Sequence, residues 1–250
     1  MTSRAKALLA VPLAAGATVL GLPALGSASS GGGGLSASTR SSASPSASNP
    51  RSGNGMVSAS GNGVAIVTRA SAFLHGQLRF SGRAPASDAG RVVQIQRLGH
   101  QTRWGWASTV RARVRGDGSF SAVWQVNHIG RFAIRAVVGG GGAGAASASP
   151  TVMVIVYRLA IATTYGPGFY GSTTACGEVL GRRTLGVANR TLPCGTPVAI
   201  YYQGRTMVVP VIDRGPYANG ADWDLTEIAA RKLGIDGTAT IGAVSLPRRR

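Results

Sequence analysis

Between Val110 and Val126 the chain alternates with a period of two on both sides of a glycine-rich break, and this stretch constrains the fold most. Val110, Ala112 and Val114 fall on one side and Arg111, Arg113 and Arg115 on the other. A half-buried strand requires this, because successive β side chains point to opposite faces. Gly116-Asp117-Gly118 interrupts the pattern, and Phe120, Ala122, Trp124 and Val126 resume it. Two such runs around residues that tolerate positive φ predict a β-hairpin. Val92 to Arg97 alternates in the same way, and Leu74 to Phe80, Arg131 to Val138 and Thr151 to Tyr157 read as further strands. Six or seven short strands between 63 and 157 predict an all-β unit, a small β-sandwich of immunoglobulin-like type. Trp124, in phase with Phe120, belongs to its core, whereas Trp104 and Trp106 are candidates for stacking on sugar rings.

The segments before this unit have a different composition. Arg4 and Lys6 precede an apolar run from Ala7 to about Leu25, and Gly26, Ser27 and Ala28 follow it. This is the layout of a signal peptide over 1–28, cleaved near Ala28. Pro12, Gly16, Gly21 and Pro23 disfavour a stable spanning helix, so contact with the membrane is expected only through this segment and the mature protein is expected to be secreted. Residues 29–62 are almost entirely Gly, Ser, Ala, Pro and Asn, which predicts a flexible linker. The run from Gly139 to Ser149 reads as a long loop, and residues 248–250 as a basic tail.

Charge narrows the partners. The chain has 26 basic residues against 8 acidic ones, a formal net charge of +18. Such a surface favours polyanions, and for an exported chain anionic wall polymers or lipid headgroups are expected rather than nucleic acid. The row Arg111, Arg113, Arg115 reads as a solvated face that discourages edge pairing, with a polymer-binding stripe as the alternative. His75, His100 and His128 lack metal-ligand spacing, so neither a metal nor another cofactor is implied, and a monomer is expected.

Residues 158–247 hold the chemistry. Cys176 and Cys194 are the only cysteines, and in an oxidising compartment they are expected to form a disulfide. Six of the eight acidic residues lie here: Glu178, Asp213, Asp222, Asp224, Glu227 and Asp236. Asp213 follows the apolar run Met207 to Ile212 and precedes Arg214-Gly215-Pro216, at a strand end from which a side chain can reach a cleft. It reads equally as a general acid or as a turn-capping aspartate paired with Arg214. Asp224 precedes an amphipathic run ending at Gly234, and its spacing to Glu227 reads as a helix N-cap with a capping box.

Five segments in order carry a resemblance: Ala162 to Phe169, Thr174-Ala175-Cys176-Gly177-Glu178, Ala188 to Pro193, Val211-Ile212-Asp213-Arg214-Gly215-Pro216-Tyr217 and Trp223-Asp224-Leu225. Together they resemble the rare lipoprotein A-like proteins, related in fold to the expansins. The resemblance implies a six-stranded double-psi β-barrel with one short helix, peptidoglycan glycan strands as substrate, and lytic transglycosylase cleavage between N-acetylmuramic acid and N-acetylglucosamine. It implies Asp213 as catalytic acid and base, with Glu178 as a possible second carboxylate and Asn189 at the position of the family's histidine. Tyr165, Thr174, Arg190, Arg214, Tyr217 and Asp224 are implied as substrate-binding. Asn189 cannot take a proton at neutral pH, and Thr164 stands where relatives often have tryptophan, so the alternative implied is a non-catalytic, expansin-like wall-binding module.

Overall fold

In β7 (Ser119–Gln125) Phe120, Ala122 and Trp124 are buried, and in β6 (Ala107–Arg113) Arg111 and Arg113 point to solvent, as the alternation requires. These strands belong to a computed structural model that describes residues 55–139, 146–217 and 220–247. The predicted signal segment, the linker up to 54, much of the 139–149 loop and the tail 248–250 lie outside the described residues. The other strands are β1 (Met56–Gly61), β2 (Val64–Arg69), β3 (Ser71–Phe73), β4 (Gln77–Arg83), β5 (Val92–Leu98), β8 (Gly130–Val138), β9 (Ser147–Ala148), β10 (Val152–Tyr165), β11 (Val187–Ala188), β12 (Pro197–Tyr202), β13 (Arg205–Asp213), β14 (Trp223–Thr226) and β15 (Ala239–Ser245). The one α-helix among the described residues is α1 (Glu227–Leu233).

Two sheets form the first half. One has the order β1-β2-β4-β7, and the other runs β6-β5-β8-β10, with β3 on β10 and β9 on β8. Val64, Ile66, Leu78, Phe80, Phe120 and Trp124 from the first sheet meet Val93, Ile95, Phe132, Ile134 and Val154 from the second in one core. The strands on either side of Gly116-Asp117-Gly118 therefore lie where the alternation puts them, but they do not form the expected hairpin. β6 pairs with β5 and β7 with β4, so residues 114–118 carry the chain from one sheet to the other. A hairpin would set both apolar faces in one layer; the crossing sets them opposite each other, where each covers its partner.

Ordered structure also begins inside the segment read as linker. Met56 to Gly61 pairs antiparallel with Arg69 to Val64. The link is a two-residue turn, Asn62 at φ 53° and Gly63 at φ 75°, the Asn-Gly pair that a type I′ hairpin favours. An edge strand needs little apolar surface of its own, and here Val57 and Ala59 suffice to pack against the core.

The second half is a closed ring of six strands, β10-β14-β11-β13-β12-β15 and back to β10. The β10–β14 and β11–β13 pairs are parallel and the remainder antiparallel. Val187, Val198, Ile200, Val211, Leu225 and Ile241 fill the interior, and α1 adds Ala229, Ala230 and Leu233. The helix stops at Gly234, which takes the left-handed conformation at φ 78° and donates its N–H back into the last turn.

β10 belongs to both halves. Residues 152–156 pair with β8, and residues 158–162 pair with β15 before 162–165 join β14. The strand expected over Thr151–Tyr157 therefore continues eight residues further, through the expected boundary at 157/158. At that junction Tyr157 is fully buried with Ala199, Val244 and Leu246, and the Phe73 and Tyr201 rings lie 6.0 and 5.6 Å from its own.

Candidate functional site

A row of in-register residues crosses four barrel strands: Thr163 pairs with Asp224, Asp224 with Ala188, and Ala188 with Asp213. Partners in register place their side chains on one face, and two strand spacings put the Asp213 and Asp224 backbones about 9–10 Å apart. Ala188 between them is small enough to leave the space open. The β11–β13 register shifts between Val187 and Ala188, an irregularity of the kind that re-aims side chains next to functional clefts. All four residues line a groove of about 560 Å³ together with Tyr165, Phe169, Arg214 and Tyr217.

Asp213 is held by main-chain donors. Its Oδ1 accepts the N–H of Ala175 at 2.9 Å and of Arg214 at 2.8 Å. That leaves Oδ2 as the oxygen that can serve the groove. The turn-capping expectation is met only by the Arg214 main chain. The guanidinium turns away, Nη1 donating to the carbonyls of Asn189 and Asp213 at 3.3 and 3.4 Å and Nη2 to Cys194 Sγ at 3.3 Å. Cys176 and Cys194 form the expected disulfide, with a Cα–Cα distance of 5.6 Å. It fixes the residue next to Ala175, whose N–H orients Asp213.

Asp224 is not the helix cap that its spacing suggested. It lies in β14, and the N-cap position of α1 is Thr226. Trp223 and Leu225 alternate into the barrel core, which keeps this stretch extended and turns Asp224 toward the groove. Thr163 Oγ1 donates to its Oδ1 at 2.9 Å. Burial pushes the Asp224 carboxyl above the usual carboxylate range; the Thr163 bond opposes this and the neighbouring Asp213 adds to it.

Tyr165 presents a buried Oη that has no hydrogen-bond partner among the described residues. Burial raises its phenol first, and the charges of Asp213, Asp224 and Glu178 raise it further. Its ring meets Phe169 edge-on at 6.2 Å. Behind the loop that carries them, the Tyr170 hydroxyl donates to Glu227 Oε2, Arg182 lies over the Tyr170 ring at 5.4 Å, and Arg231 approaches Glu227 at 3.6 Å.

The structure thus brings Tyr165, Asp213, Arg214, Tyr217 and Asp224 together and leaves four other sequence candidates outside the lining. Asn189 is engaged locally: its Oδ1 accepts the N–H groups of Thr191 and Leu192 at 3.2 and 2.9 Å, and its Nδ2 donates to Asp222 O at 3.5 Å. Thr174 is buried and closes a tight turn with Glu178, accepting its N–H at Oγ1 and donating its own N–H to the Glu178 carbonyl. The Glu178 side chain is exposed. Arg190 braces the far lip through Nη1, donating to Pro216 O at 2.6 Å and Ala221 O at 3.0 Å. Sequence reasoning did not single out Thr163, Ala188 or Phe169 as site residues, although all three lie in the segments that carry the resemblance; a further signal for Thr163 is its place in β10. Among the described residues no three His, Cys, Asp or Glu side chains converge as a metal site would need.

The barrel is also similar in sequence to known proteins. A family model described as "Lytic transglycolase" matches residues 160–246. A probable endolytic peptidoglycan transglycosylase RlpA of Synechocystis is 44% identical over 88 residues, covering 34% of this chain and 27% of that protein. The corresponding protein of Aquifex aeolicus is 40% identical over 81 residues, with 32% of this chain and 36% of that one covered. The endolytic peptidoglycan transglycosylase RlpA of Campylobacter jejuni is 36% identical over 97 residues, with 37% and 35% covered. The chain therefore spans about a quarter to a third of the length of these relatives.

Proposed function

We propose that the groove of residues 160–246, an RlpA-like double-psi β-barrel by its similarity, binds a peptidoglycan glycan strand and cleaves it as a lytic transglycosylase. The observation that carries this reading is the row Asp213-Ala188-Asp224, two carboxyls flanking an open position on one barrel face. The Asp213 carboxyl protonates the glycosidic oxygen, and the bond from C1 of N-acetylmuramic acid to that oxygen breaks. The sugar's own 6-hydroxyl attacks C1, its proton passes to the Asp213 carboxylate, and a 1,6-anhydro end forms with the acid restored. No activated water is needed. Burial, and the neighbouring Asp213, raise the Asp224 carboxyl, so the site disfavours two like charges facing each other across Ala188. Tyr165 Oη supplies a donor with no internal partner to lose, and Phe169 and Tyr217 offer ring faces on the groove's lips.

The setting that follows is the extracytoplasmic cell wall, reached through the signal segment. The two-sheet half is read as immunoglobulin-like because two largely antiparallel sheets, with β3 alone parallel to β10, enclose one core. The test is digestion of purified sacculi with product analysis by mass spectrometry. Wild type releases 1,6-anhydro-muropeptides, and Asp213→Asn lowers their yield by about 100-fold or more. Reducing ends in place of anhydro ends, or binding without soluble product, would overturn the proposal.

A further inference from the structure

The charge of the chain is distributed unequally. Residues 55–157 contain eleven arginines against Asp88 and Asp117, whereas residues 158–247 contain eight basic against six acidic residues. Among the described residues the one ion pair of the first half is Arg91–Asp88, at 2.8 Å. The remaining arginines of that half thus have no carboxylate within ion-pair range.

Several of them share the outward face of the sheet β6-β5-β8. Arg111 pairs with Gln94, and Gln96, two residues along, pairs with Arg135. Arg113 continues the row on β6, about 7 Å beyond Arg111 for two strand residues. The guanidiniums are held by neutral groups. Arg135 stacks over the Trp106 ring at 3.9 Å and donates through Nε to Gln96 Oε1 at 3.0 Å, and Gln96 Nε2 donates to Gln94 Oε1 at 3.3 Å. Arg113 Nη1 donates to the Gly90 carbonyl at 2.9 Å. Protection of the β6 edge explains Arg111 and Arg113 but not a stacked, hydrogen-bonded arginine on the interior strand β8. Stacking and hydrogen bonds fix the fork before any ligand arrives, so less side-chain entropy is lost on binding an anion.

We propose that this face docks a linear phosphodiester-linked polyol polymer, independently of the barrel groove. A polymer with one charge per short repeat meets the row Arg111, Arg113 and Arg135 charge for charge, and phosphate oxygens accept the two-pronged donation of arginine. A lipid surface fits less well. None of the exposed large apolar side chains among the described residues lies on β5, β6 or β8, so nothing on these strands would insert between acyl chains.

The experiment measures binding of the full chain to poly(glycerol phosphate) by calorimetry over a series of salt concentrations, with phosphatidylglycerol vesicles as the second probe. Arg111→Gln/Arg113→Gln/Arg135→Gln is compared with Arg69→Gln/Arg79→Gln/Arg83→Gln, which removes the same charge from exposed positions of the opposite sheet. The expected result is a loss of tenfold or more in affinity for the first variant, with a shallower salt dependence by roughly one unit of slope per lost contact. The second variant stays within about twofold of wild type. Thermal melting is recorded for both, and an affinity loss counts only where the melting curve matches wild type; Arg111→Gln/Arg113→Gln, which leaves the Trp106 stack intact, serves if the triple variant does not. Equal losses in both variants, no binding to the polymer, or binding to vesicles alone would overturn the proposal.

Discussion

Asp224 shows how one side chain can be read rightly for its type and wrongly for its place. The sequence Asp224-Leu225-Thr226-Glu227 offers two cap-type residues, and spacing alone favours the first. Burial of Trp223 and Leu225 decides for the second, because it holds the chain extended for two more residues. The consequence is measurable. A carboxyl raised in the folded state binds more protons than it does in the unfolded chain, so its contribution to stability is complete below the unfolded value of about 3.9 and is lost as pH rises through the folded one. Asp224→Asn keeps an oxygen for Thr163 and removes the ionisation, so its Tm is expected to exceed that of wild type at pH 7 and to match it at pH 3. A variant equally or less stable at pH 7 would show that the carboxylate is not penalised. Tyr165→Phe deletes a buried hydroxyl with no partner, a group whose burial costs about 1–3 kcal/mol. The Tm is expected to hold or rise while release of anhydro-muropeptides falls. Asp213, by contrast, is legible in the sequence, because an apolar run ending at Asp-Arg-Gly-Pro announces a strand end and a turn.

At the scale of elements, alternation reports which face of a strand is buried and is silent about its neighbour. Every strand inferred from period two between Val92 and Val126 is present, yet β6 and β7 face each other across the core where a hairpin was expected. β1 escaped notice for the opposite reason, since an edge strand of small residues has almost no periodic signal beyond its Asn62-Gly63 turn. The segment carrying Cys176 has little regular structure and relies on its cross-link. Opening the disulfide, which bridges positions 18 apart in sequence, is expected to lower stability by about 3 kcal/mol in the chain-entropy model. It also frees the Ala175 N–H that holds Asp213. Cys176→Ser/Cys194→Ser should therefore lose activity beyond what its melting curve explains, measured well below its Tm; full activity there would show that the cross-link does not orient the acid.

For the whole molecule the decisive element is β10, because neither half can complete its sheet without it. The two are expected to melt in a single calorimetric transition. Tyr157→Ala, which empties the buried junction beside Phe73 and Tyr201, is expected to cost on the order of 3 kcal/mol and to lower that transition as a unit. Two separated transitions in wild type would show that the halves fold independently. A continuous strand also fixes what inheritance can do with this protein. Past the junction, where Val156 and Tyr157 are both buried and Arg158 and Leu159 both exposed, the side chains of β10 alternate, so one residue inserted before Ala160 would turn Ala160 and Ala162 outward and shift Thr163 and Tyr165 with them. Lineages can lengthen this joint only in steps of two, and neither half can be exchanged for a foreign module unless the newcomer brings a strand of matching phase.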